Sequence, residues 1–289
     1  MLAQLHAERM ARQATCEAMH ELDASTAVVI VEQHGAQLGS SLWHSALPLC
    51  DWLYSNLRLW GDRSRSRRIL ELGAGCGTCG IAAAMAPPGG HTVVLTDKAE
   101  VCDHLQRNVA ANGAAVLAAG SSVHVAPLLW RHALPQSVAW TEWDAVKRHG
   151  PFDVIIACEC VYELPLLEAL IDTIAHGAAE YARAVEAGRA RASAEATMDD
   201  FCTIVLGFCR RGGSLCPPEA VEEMLLERFE HVCPPSALNR GSGKQPSTSY
   251  SDVGHDSFSG TDTSTTLIYQ LKLRDTASSA SGQSSRCHD

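Results

Sequence analysis

From residue 68 onward, short apolar runs alternate with stretches whose apolar positions recur at helical spacing. The runs 69–72, 92–96, 123–129, 152–157 and 202–208 are each four to seven residues long and almost free of charge. That is the pattern of strands buried on both faces of a parallel sheet. Between them, 80–85 reads as an apolar helical stretch and 100–112 as a second helix packed on such a sheet. The rhythm predicts βαβ crossovers and an α/β fold. Residues 266–273 (Thr-Leu-Ile-Tyr-Gln-Leu-Lys-Leu) alternate instead, as a half-exposed or edge strand does, and are expected to close the sheet antiparallel. Upstream, 42–53 carries apolar positions at helical spacing, 28–32 is a short β-branched run that suggests an entry strand or hairpin, and 1–24 reads as helix. The expected organisation is an N-terminal helix and first strand over 1–38, a main domain over 39–274, and a disordered tail over 275–289.

Two segments interrupt this rhythm. Residues 165–198 are long and rich in alanine and charge, which predicts helix with a helical insertion at about 177–199. Residues 236–265 are dominated by Ser, Gly, Thr and Asp, too poor in large apolar groups to offset ordering entropy, so a mobile loop is expected there. Composition adds limits. The chain has 289 residues, 46% of them hydrophobic, enough for one sizeable domain. Its 23 Lys and Arg against 33 Asp and Glu give a net charge of -10, which disfavours nucleic-acid backbones and anionic membranes as partners. Several of the 12 cysteines lie in apolar contexts, where a free thiol packs as a small hydrophobe. A reducing, cytoplasmic location, extending to the nucleus, is expected, and neither a signal peptide nor a membrane-length apolar run is present.

The chemistry concentrates in Glu71-Leu72-Gly73-Ala74-Gly75-Cys76-Gly77, a buried strand running into alternating glycines and then a helix. Glycines there let the backbone approach a ligand, and Asp97, at the end of the next apolar run, sits where open α/β sheets bind ligands and where a carboxylate holds ribose hydroxyls. Because Gly75-Cys76-Gly77-Thr78-Cys79-Gly80 also satisfies GxGxxG, the turn alone leaves NAD and S-adenosylmethionine both open. Glu71 tilts the choice. A carboxylate there opposes a pyrophosphate, but it accepts hydrogen bonds from the amino-acid end of a cationic sulfonium cofactor.

These residues resemble the seven-strand S-adenosylmethionine-dependent methyltransferases, and more closely the protein-lysine methyltransferase branch known as methyltransferase family 16. The closer resemblance is carried by 39–53 with Trp43, by Asn108 to Gly113 at the end of a helix, by Leu128-Leu129-Trp130, and by 152–162. It implies a Rossmann-like, three-layer αβα fold whose sheet has seven strands, mostly parallel with one antiparallel. It also implies that Glu71, Gly73, Ala74, Gly75, Asp97, Trp130 and Cys158 hold S-adenosyl-L-methionine, with Trp43 closing over it. In the family, the acid and tyrosine of a (D/E)xxY motif meet the substrate; here these are Glu159 and Tyr162 in Glu159-Cys160-Val161-Tyr162. Leu129 departs from the pattern, since an acid often precedes the tryptophan, and this puts polar contacts from that loop in question.

The resemblance thus implies an enzyme that methylates nitrogen, with a lysine of a protein substrate as acceptor, acting as a monomer and without a metal. Cys76-Gly77-Thr78-Cys79 is formally CxxC, but it lies inside the glycine turn with no second pair or histidine pair to complete a zinc site. A methyltransferase acting on histidine, arginine or a small-molecule amine would share every cofactor residue. An NAD-dependent oxidoreductase and a non-catalytic binding protein are the rivals from other classes.

Overall fold

A computed structural model describes residues 15–33, 38–43, 45–57, 65–132, 140–161, 163–191, 201–209, 217–239 and 265–274. The chain opens with an antiparallel hairpin, β1 (Thr15–Glu21) and β2 (Ala27–Gln33). The β1 segment was expected to be helical, and it is a strand. Its helix-forming composition is overridden by pairing with the β-branched β2, through a turn in which Asp23 Oδ1 accepts from the N–H groups of Ser25 and Thr26, the local bond that favours aspartate in turns.

Next come α1 (Ala46–Asn56), β3 (Arg68–Leu72), α2 (Thr78–Met85), β4 (Thr92–Asp97), α3 (Ala99–Ala111), α4 (Gly113–Ala118) and β5 (Ser122–Pro127). They are followed by α5 (Thr141–Val146), β6 (Val154–Cys158), α6 (Leu164–Arg191), β7 (Thr203–Cys209), α7 (Pro218–Arg228), β8 (Phe229–Asn239) and β9 (Thr265–Leu273). The main sheet has seven strands in the order β5-β4-β3-β6-β7-β9-β8. β3, β4, β5, β6 and β7 run parallel, while β9 is antiparallel to both β7 and β8. The strand order reverses between β3 and β6, and ligands of open α/β sheets bind in the crevice at such a reversal, outside the carboxyl ends of the strands.

Alternation along each strand divides the core between two faces. Leu70, Leu72, Val94, Ile155, Ala157, Ile204 and Leu206 pack with α5, α6 and α7 on one side. Ile69, Val93, Leu95, Val154, Ile156 and Val205 pack with β2, α1 and α2 on the other. The odd-numbered face of β3 therefore carries Glu71 toward α2, and this placement organises the site.

The expected helical stretch and the expected loop fall partly within the described residues. The stretch expected as an insertion continues without a break in α6, which runs to Arg191 and buries Ala178, Tyr181 and Val185 in the core. Small residues at helical spacing let it pack closely; residues 192–200 lie outside those described. The expected loop starts later than 236, because β8 extends to Asn239 and β9 begins at Thr265. Its remainder, 240–264, and the tail 275–289 lie outside the described residues, as does the first part of the expected N-terminal helix. β8 shifts register around Cys233 to Ser236, where Pro234 and Pro235 lack the N–H a ladder needs; such residues are tolerated at a sheet edge.

The hairpin is fastened to the domain by two asparagines of α3 and its end. Asn108 Oδ1 accepts from Val31 N at 2.7 Å and its Nδ2 donates to Val31 O at 3.0 Å. Asn112 does the same for Val29, at 2.8 and 2.7 Å. Each side-chain amide supplies one donor and one acceptor, so the pair substitutes for a neighbouring strand along the outer edge of β2. Either Asn108→Ala or Asn112→Ala breaks two such bonds and should lower unfolding free energy by about 2 kcal/mol, measured by urea denaturation. A loss below about 0.5 kcal/mol would show that the clamp does not hold the hairpin.

Candidate active site

β3 ends at Leu72, and Gly73, Gly75 and Gly77 all adopt left-handed backbone, with φ of 64°, 55° and 74°. Contact as well as conformation demands glycine at Gly73, because a Cβ there would stand 2.7 Å from both Trp130 Cζ2 and Cys160 Sγ. At Gly75 a Cβ would approach the carbonyl oxygen of Gly39 to 3.1 Å. The turn is thus pressed between the loop after β5, the segment after β6 and the segment 38–43.

Gly77 occupies the N-cap position of α2 and has no side chain to bond the first helical N–H groups. Glu71 does this from below: its Oε2 accepts from Gly80 N at 2.8 Å. Only 1% of Glu71 is exposed. Burial pushes its carboxyl up to about 8, with the Gly80 N–H pulling the other way. Expected to meet the cofactor, Glu71 does line the cavity, and it also caps the helix.

Asp97 ends β4, with Oδ2 accepting from Gly75 N at 2.8 Å and Oδ1 from Lys98 N at 2.7 Å. Burial raises its pKa while these two bonds lower it. A carboxylate has about four acceptor directions, so two bonds leave capacity for ribose hydroxyls. The strand tips are locked together by Ala74 N donating to Thr96 O and Thr96 Oγ1 donating to Glu71 O.

A cavity of about 670 Å³ opens over this turn, a volume suited to a nucleoside-sized ligand. All the described candidate residues line it: Trp43, Glu71, Gly73, Ala74, Gly75, Asp97, Trp130, Cys158 and Glu159. Trp43 donates from Nε1 to Leu38 O at 3.1 Å. Cys158 shares a hydrogen bond with Cys79, and that bond, followed by burial, raises its thiol pKa. Cys79 in turn lies 4.0 Å from Cys50. Cys76 contacts Gly39 O and His104 instead, so the two cysteines of the CxxC string have separate neighbours, and all are free thiols. Among the described residues, no group of three or more His, Cys, Asp and Glu is arranged to hold a metal.

Glu159 follows β6 with φ of 54°, and it is the non-glycine residue with positive φ among those described. Its N–H donates to Gly207 O at 2.8 Å, and its Oε1 accepts from Ser45 N at 3.1 Å. Strained backbone of this kind concentrates at functional sites. Ser45 is the N-cap residue of α1 and is fully buried, so the positive end of that helix faces the carboxylate. Tyr162 lies outside the described residues. Ser45 and Gly39 were missed in the sequence. Ser45 falls inside the helical pattern of 42–53, where a serine carries no signal of its own; Gly39 had none either, since its partner Gly75 is distant in sequence.

Glycines pressed against their neighbours, an acidic side chain at each of two adjacent strand tips and aromatic walls fit S-adenosylmethionine. Fold and site define a Rossmann-like, seven-strand methyltransferase domain. A family model described as lysine methyltransferase matches residues 22–201, and the chain belongs to that family. Protein-lysine N-methyltransferase rrg1 of Schizosaccharomyces pombe is 36% identical over 161 residues, covering 54% of this chain and 50% of its own. EEF1A lysine methyltransferase 3 of Mus musculus is 30% identical over 166 residues, covering 56% and 58%. The chain spans about half the length of these curated relatives. A solved structure, P. horikoshii TYW2 in complex with MeSAdo, is a distant likeness with 11% identity and a TM-score of 0.43, covering 94% of this chain and 81% of its own.

Two outcomes follow from this geometry. Asp97→Ala removes charge-assisted bonds of about 1.5 to 3 kcal/mol each and should weaken S-adenosylhomocysteine binding at least tenfold in calorimetry; unchanged affinity would refute the assignment. For Glu71, the ordinary value of 4.5 against about 8 when folded means the folded protein retains a proton that the unfolded chain loses across that interval. Its contribution to stability is therefore complete below pH 4.5 and lost as pH rises to about 8. Thermal unfolding across this range should fall less steeply with pH for Glu71→Gln than for the natural chain, and equal slopes would contradict the raised value.

Proposed function

We propose that this chain transfers a methyl group from S-adenosylmethionine to the ε-amine of a lysine in a protein substrate. The observation that carries this reading is Glu159, held in left-handed backbone in the same cavity as the glycine turn and Asp97, its carboxylate fixed by Ser45 N. Membership of the lysine methyltransferase family and the names of the relatives support it.

S-adenosylmethionine supplies an electrophilic methyl on a sulfonium. The chain's own residues then have to present a neutral amine in line with that methyl at near-attack distance. Glu159 accepts a hydrogen bond from the incoming nitrogen and orients it, while Trp43, Trp130, Leu42 and Val161 line the cavity and exclude water. A lysine ammonium with a free pKa of about 10.4 loses its proton more readily in apolar surroundings, which disfavour its charge. The overall charge of -10 favours the approach of a cationic side chain. A cytoplasmic location extending to the nucleus and a monomeric state belong to the same reading.

Glu159→Ala should leave S-adenosylhomocysteine affinity within twofold and reduce turnover by about 100-fold, the scale of lost orientation. Radiolabelled methyl transfer to lysate proteins, followed by amino-acid analysis, would identify the acceptor. Label recovered on histidine, arginine or a small molecule would overturn the lysine reading.

A further inference from the structure

Glu32 lies on β2, outside the cavity, with 2% of its surface exposed. Its Oε1 accepts from Leu42 N at 2.5 Å. Among the described residues, its Oε2 is buried without a hydrogen-bond partner. An unpaired buried carboxylate oxygen costs stability, so the residue is unfavourable as a packing element alone.

What Glu32 holds is the segment 38–43, which forms the roof of the site; Leu38, Gly39, Ser41, Leu42 and Trp43 all line the cavity. The segment closes on itself through Trp43 Nε1 and Leu38 O. Its fit against the glycine turn is tight. Gly39 is hemmed between Gly75 and Val101, whose Cγ1 would stand 2.9 Å from a Cβ added at Gly39. A small displacement of the segment therefore either collides with α3 or opens the contact with the turn. Glu32 belongs to the hairpin that Asn108 and Asn112 clamp to α3, so its bond to Leu42 N ties the roof, through the hairpin, to α3.

We propose that Glu32 is a positioning residue for cofactor binding: through Leu42 N–H it sets the height of segment 38–43 over the S-adenosylmethionine site without touching the cofactor. This rests on the reading of the cavity as that site.

The test is calorimetric binding of S-adenosylhomocysteine to the full chain and to Glu32→Gln and Glu32→Met, below each variant's thermal midpoint. Gln keeps a carbonyl acceptor for Leu42 N, whereas Met fills a similar volume and offers none. Met should weaken binding tenfold or more, and Gln should restore affinity to within twofold of the natural chain. Glu32→Ala, which also lacks the acceptor, carries the same expectation if the Met variant does not fold. Equal affinity in the acceptor-less variants, or a Gln variant as defective as they are, would overturn the role of Glu32. Absence of binding by the natural chain would instead overturn the reading of the cavity itself.

Discussion

A helix that starts on a glycine begins with unbonded N–H groups, and here it starts next to the strand tip where a ligand must approach. The hydrogen bond from Gly80 N to Glu71 Oε2 resolves that conflict from beneath the turn. It leaves the start of α2 without a capping side chain at Gly77, and Gly73, Ala74, Gly75 and Cys76 line the cavity. The bond requires an acid on the α2 face of β3, two residues along the strand from Ile69, and it requires that acid to be buried. The raised pKa of Glu71 is the electrostatic mark of this arrangement.

From that bond the rest of the site can be traced. Asp97 closes the turn from the neighbouring strand through Gly75 N, and Trp130 and Cys160 occupy the volume a side chain at Gly73 would need. On the other side of the strand reversal, β6 delivers Glu159 to the same cavity. The Glu159 side of the cavity is thus built on a different strand pair from the glycine-turn side, with the roof contributed by a segment that belongs to neither. Each part is fixed by its own contacts: backbone bonds between strand tips, a helix N-terminus at Ser45, and asparagine amides along β2.

Much of this was legible in the sequence because parallel strands covered on both faces leave uninterrupted apolar runs. Strands β3, β4, β6 and β7 were legible for that reason, and the glycine turn and Asp97 followed from chemistry at their ends. What was not legible depends on partners distant in the chain. β1 reads as helix until β2 is placed beside it. α7 and β8 carry no clear periodic signal, and β8 exists only against β9, with two prolines in its course. Glu71 was legible as a polar group at a strand tip, but not as a helix cap, since the capping relation appears only when α2 folds back over β3. Asn108 and Asn112 were visible as part of a resemblance, while their work along β2 needed the three-dimensional arrangement.

The left-handed backbone at Glu159 has a consequence for how this domain distributes its stability. A β-carbon at φ of 54° is unfavourable, and glycine would relax it without disturbing the bond from Glu159 N to Gly207 O. The chain retains a side chain that its own local conformation opposes. Local backbone energy therefore opposes the side chain at this one residue, and the most comfortable version of the fold is one without the carboxylate that Ser45 N holds in the cavity.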